Sequence, residues 1–82
     1  MSNRKIRLIW DFRGPDAEQI AKHHCVHLKE FSDQSSMSLE DIRSEVLSEF
    51  YCTASLVVQE SDMIAVRDLL KPHRGEVAKS RD

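Results

Sequence analysis

SLEDIRSEVLSEFYCTASLVVQE, residues 38–60, is the stretch on which the fold turns. Its second half alternates. Cys52, Ala54, Leu56 and Val58 fall on one side, and Tyr51, Thr53, Ser55, Val57 and Gln59 on the other. That period of two predicts a strand over residues 51–60. The first half reads differently. Leu39, Ile42, Val46 and Phe50 stand three or four residues apart, the spacing of one helical face. Ser38 can cap such a helix, and Asp41 three residues later completes a capping-box pattern. The spacing therefore predicts a helix over residues 39–50.

Outward from this stretch, the flanks are clearer. Towards the N-terminus, residues 5–12 alternate. Ile6, Leu8, Trp10 and Phe12 point one way, and Arg7, Ile9 and Asp11 the other, as in a half-buried strand. Ile9 implies that the second face is not wholly wet. Gly14-Pro15-Asp16 stops this strand and opens a helix, with Pro15 suited to the first helical position and Asp16 and Glu18 complementing the dipole. Ala17, Ile20, Ala21, Leu28 and Phe31 mark its apolar face, over residues 16–31. The serine-bearing stretch 32–38 reads as a linker. Towards the C-terminus, Ser61 is a plausible cap for a helix to Leu70, buried through Met63, Val66 and Leu70 and ended by Pro72 and Gly75. Glu76-Val77-Ala78 has the composition for a short further strand. Residues 1–4 and 79–82 are expected to fray.

The predicted order is strand, helix, helix, strand, helix: a two-layer α+β fold in a single small domain spanning residues 1–82. Chains of this size bury roughly 60–65% of their unfolded surface, so the core is small. A two-stranded sheet is marginal in water and leaves open edges. A homodimer that merges two such sheets is the expected remedy. Its architecture would be that of a ferredoxin-like sandwich assembled from halves, an analogy without functional weight.

Composition excludes several function classes. The chain is 40% hydrophobic and 32% charged, with 2 Gly and 2 Pro, which argues against disorder of the whole chain. A net charge of -2 with interspersed signs gives no bulk attraction to nucleic acid or to an anionic membrane. No apolar run approaches the ~18–20 residues of a membrane span, and the opening residues do not form a signal peptide. Cys25 and Cys52 have no close-spaced partners, so reduced thiols and a cytoplasmic location are expected.

One local concentration of chemistry stands out. His23-His24-Cys25-Val26-His27 gathers three of the four histidines and one of the two cysteines into five residues. At 100° per residue His24 falls within the apolar stripe, between Ile20 and Leu28, with Cys25 on one border. His23 and His27, four apart, lie together on the other border. That spacing lets two imidazoles on one helix hold a metal, with a third ligand to come from Asp16, Glu30, His73, Cys52 or a partner chain. The glutamate that follows the first histidine of helical zinc proteases is absent. The plainer reading is a solvated edge pair and a His24 hydrogen-bonded within the core. A buried, neutral His24 implies that stability falls as pH drops below its unfolded pKa of about 6.5.

Other candidates carry less. Gly14-Pro15-Asp16 is a poor phosphate cradle, because proline removes a donor and aspartate repels anions. Trp10 and Phe12 read as core, and Tyr51 as a residue of the dimer surface. Lys71-Pro72-His73-Arg74 places cations at a helix C-terminus, where the dipole favours them. The two cysteines read as packing residues. The expected function is thus a small cytoplasmic, dimeric binding or accessory protein. Its ligand would lie beside the first helix, near Trp10, His24 and His27. The alternative is a metal-binding or histidine-dependent enzyme using His23, His24 and His27. A purely structural interaction module is a third expectation.

Overall fold

A computed structural model describes residues 4–35, 37 and 39–78. The elements are β1 (Lys5–Arg13), α1 (Ala17–Gln34), β2 (Leu39–Ser48), β3 (Tyr51–Gln59), α2 (Glu60–Leu70) and β4 (Arg74–Val77). The four strands form one antiparallel sheet in the order β2-β3-β1-β4. Since β1 and β2 each run antiparallel to β3, they are parallel to one another with β3 between them, a split strand-helix-strand unit. Residues of both helices join the same apolar cluster as Ile6, Leu8 and Trp10, so both cover one face of the sheet.

The largest correction concerns residues 39–50. They form strand β2 and not a helix. The register against β3 shows why the spacing misled. Leu39 pairs with Val58 and Glu40 with Val57, but the next regular pair is Arg43 with Ser55, so the strand carries one extra residue at Asp41–Ile42. Asp41 takes φ 49°, a left-handed conformation that Asp tolerates better than most. The bulge shifts the alternation by one position. Leu39 and Ile42 thereby reach the same face, three residues apart, and both pack on the core. A second irregularity between Val46 and Ser48 precedes the Glu49–Phe50 turn. The capping role of Ser38 lies outside the described residues, and Asp41 is part of the bulge.

The other elements match their expected positions with shifted ends. The predicted 51–60 strand is β3, and the Glu76–Ala78 segment belongs with β4, which begins two residues earlier. Helix α1 continues three residues beyond Phe31 and shortens the linker. Asp16 is its N-cap, so Pro15 stands outside the helix and not at its first position. Gly14 adopts φ 119°, a conformation that side chains resist, and its N–H donates to the Phe50 carbonyl at 2.9 Å. Arg4, expected to fray, is anchored: its carbonyl accepts from the Glu60 N–H at 3.0 Å.

With four strands in one chain, the sheet has the width that independent stability needs. The sheet therefore does not need a second copy to reach that width. Leu8, Leu28, Leu56, Val58 and Val66 are fully buried at the centre. The buried side of α1 runs through Ala17, Ala21, Cys25 and Leu28. Two alanines bring its first turns close to Phe12 and Cys52. This rotates the helix relative to the expected stripe. Ile20 is 47% exposed, Cys25 moves from border to core, and His24 moves from the centre to the border.

Candidate functional site

The structure splits the histidine cluster. His24 sits at the edge of the α1–sheet interface, its ring centroid 4.8 Å from that of Trp10 and 5.6 Å from that of Phe12. Its Nε2 is buried and has no hydrogen-bond partner among the described residues. Burial holds the His24 pKa below the ordinary histidine value, with smaller contributions from His27, His73 and His23. The imidazole behaves as a small aromatic wedge. General acid or base work needs an approach to the reacting proton, and the buried Nε2 offers none.

His23 and His27 are exposed on α1, with their Nε2 atoms 3.0 Å apart. One ring donates and the other accepts, according to tautomer. Nitrogens held by one tetrahedral zinc, each at about 2.0–2.1 Å, have a similar separation. Among the described residues, however, no group of three or more His, Cys, Asp or Glu side chains is arranged to hold a metal. Cys52 is buried under α1. His73 packs near Phe12. Glu30 stands 3.7 Å from the Nδ1 of His27, not from the paired Nε2. The pair supplies two ligands at most from these residues. His27 lies one turn from His24 on the same helix, close enough to act on its charge.

Trp10 is buried, and its indole N–H donates to the Leu70 carbonyl at 3.1 Å. The bond satisfies a carbonyl at the C-terminus of α2, where Lys71 in the left-handed conformation closes the helix. The only polar group of Trp10 is therefore spent on the fold. The cysteines pack as expected. Both are free and buried, and burial pushes the Cys25 thiol up despite nearby Lys29 and a hydrogen bond with Ser44. That is the opposite of nucleophile activation.

The best-organised polar group lies on the sheet face that the helices leave open. Asp11 on β1 accepts from the Tyr51 hydroxyl at 2.5 Å and from Arg74 through two bonds of 3.1 Å. The Asp11 backbone N–H donates to His73 Nδ1 at 2.8 Å. The Arg13 guanidinium stacks 4.1 Å above the Tyr51 ring. The hydrogen bonds from Arg74, then that from Tyr51, hold the Asp11 carboxyl below its usual range. The cluster clamps β4 to β1 and β3. The sequence pattern places Asp11 on a strand and Arg74 at a helix end, far apart in the chain. They are brought together by β4 pairing with β1, which places Arg74 opposite Ile9, and no local spacing reports that contact.

Next to this clamp, on the helix side of the sheet, is a cavity of about 400 Å³ between α2 and β4. Ile6, Leu8, Met63 and Val77 supply apolar walls, and Arg67, His73 and Glu76 supply polar groups. Gly75 forms part of the wall; a Cβ there would stand 3.1 Å from Leu8 Cδ2. Glycine thus lets β4 approach the core without filling the space. At the expected site beside α1, the rings of His24, Trp10 and Phe12 pack against one another. One open volume lies beside α2, and another borders Arg7, Arg43 and Glu76.

Comparison with known family models, with characterised proteins and with solved structures finds no match to this chain. Among the described residues no helix is long and apolar enough to cross a membrane.

Proposed function

We propose that the protein is a small binding module that takes a largely apolar small molecule in the cavity between α2 and β4. The observation that carries this reading is the cavity itself. Its volume lies within the ~300–1,000 Å³ range of small-molecule pockets, and its apolar walls with a few polar groups have their usual character. Bordering it, the densest polar constellation among the described residues, Asp11 with Tyr51 and Arg74, is consumed in mutual contacts. Positioning supports binding more than reaction. The element order is ferredoxin-like by analogy, and that analogy names no ligand. Two buried, unpaired thiols fit a reducing, cytoplasmic setting. Arg7, Arg13 and Arg74 of the open sheet face are engaged by carboxylates or by Tyr51, which fits a protein that does not bind nucleic acid.

The test is thermal unfolding with decanol and decanoate as probes. A ligand at 100 times its Kd stabilises by about 2.7 kcal/mol, and Met63→Trp, which fills the cavity, should abolish that gain while leaving the protein folded. No stabilisation by either probe, or equal stabilisation of Met63→Trp, rejects the reading.

The close approach of His23 and His27 favours a second reading, a metal-dependent or histidine-based activity. Zinc should then raise the unfolding temperature of the wild type and not of His23→Ala or His27→Ala. An unchanged wild type removes it.

A further inference from the structure

We infer that a second copy of this chain pairs with the outer edge of β2, antiparallel and in one register, with Ser44 opposite Ser44. Strand β2 is ten residues long and pairs with β3 on one side only among the described residues. Such an edge is a template for another strand. Its regular part is Arg43–Val46, bracketed by the two irregularities. Arg43 and Glu45 lie on the open face, opposite Ser55 and Thr53, and Ile42 and Val46 lie on the helix face.

A two-fold axis at Ser44 sets Arg43 against Glu45 of the second copy, and Glu45 against Arg43. It also sets Ile42 against Val46 twice. Opposite charges and apolar pairs directly across from one another stabilise a sheet, and like charges destabilise it. Registers centred on Arg43 or Glu45 place like charges face to face, Arg43 against Arg43 or Glu45 against Glu45. The strand is self-complementary in the Ser44 register. Within one chain Arg43 is poorly satisfied, 3.8 Å from Asp41 and 4.0 Å from Glu45, so it is available to a closer partner. Val46 is 58% exposed in the single chain, and this pairing covers it.

A second observation agrees. Helix α1 packs on β3 and β2 and to a lesser extent on β1, with Cys25 beside Ser44. The pairing sets the two α1 helices side by side on one face of the merged sheet, flanking the two-fold axis. Val26, an exposed valine on the otherwise polar side of α1, then lies close to the axis. The interface is at the opposite edge of the sheet from β4, so the cavity stays open, and the dimer stands or falls independently of the ligand.

Sedimentation of the full chain tests this, with variants R43E and E45R. Each variant alone opposes like charges across the axis and should weaken association about tenfold. An equimolar mixture of the two restores both opposite-charge pairs and should associate as the wild type does. Concentration-dependent protection of the β2 amides in the wild type gives an independent readout that needs no variant. A wild type that stays monomeric at about 200 μM, where a contact of ordinary affinity is filled, overturns the proposal. So does association without β2 protection, or a mixture that stays dissociated while both variants keep the wild-type circular dichroism.

Discussion

The two faces of the sheet bury the same strand by different means. On the helix face, Cys52, Ala54, Leu56 and Val58 of β3 are covered by apolar side chains of α1, α2 and β1. On the other face, Thr53, Ser55 and Val57, with Ile9 beside them, are also buried, yet no helix lies over them. Long charged side chains cover them. Arg7 donates to Ser55 at 2.8 Å and pairs with Asp41, while Arg74 and Tyr51 close on Asp11. Burial by apolar packing removes carbon from water at about 25 cal/mol per Å². Burial under paired side chains adds little free energy per contact, because exposed ion pairs are worth about 0–1 kcal/mol. The comparison teaches that depth of burial alone does not rank residues by energy. What covers them does.

Leu56→Ala should break the helix face most severely. It leaves a cavity at a fully buried site and should cost about 2–5 kcal/mol in urea unfolding. Ser55→Ala, one residue along and as deeply buried, should cost far less; an equal loss would erase the distinction. Asp11→Ala should cost about 1 kcal/mol, the scale of a partly exposed hydrogen-bonded charge cluster, and the loss should shrink in 1 M salt. The Leu56→Ala deficit should not shrink. Arg7→Met, which keeps the covering stem and discards the charge, should cost no more than about 1 kcal/mol, the scale of one lost hydrogen bond.

His24 is the polar exception on the apolar face. Its folded pKa lies below the unfolded value of about 6.5, so the unfolded chain binds more protons as pH falls. The stability tied to its neutral form is present above that value and is lost as pH drops below it. The unfolding temperature should therefore be lower at pH 5.5 than at pH 7.5, and His24→Leu should flatten that slope. His23, His27 and His73 remain in that variant as the control for the other imidazoles. A slope unchanged by His24→Leu would mean that this ring is not what the pH senses.

Legibility followed the same division. β1, β3 and α2 were readable because their apolar positions repeat at the period of the element itself. β2 was not, because a bulge at Asp41 turned strand alternation into the three-residue step of a helix. An edge strand also lacks the apolar residues on both faces that mark a buried one. Ile9 and Val57 are the signs in the sequence that the second face is covered. The charged residues that cover it read as solvated surface, since their partners are joined by strand pairing. The cavity was hidden for a related reason. Its walls come from β1, α2 and β4, and no single segment shows a space between them.

The most direct test of the binding account is a titration of the isotope-labelled protein with decanol, read residue by residue from its amide resonances. The account predicts saturable shifts concentrated at Ile6, Leu8, Met63, Gly75 and Val77, the walls of the cavity beside α2. Shifts concentrated instead at His23–His27, or no saturable change up to the solubility limit of the probe, would contradict it.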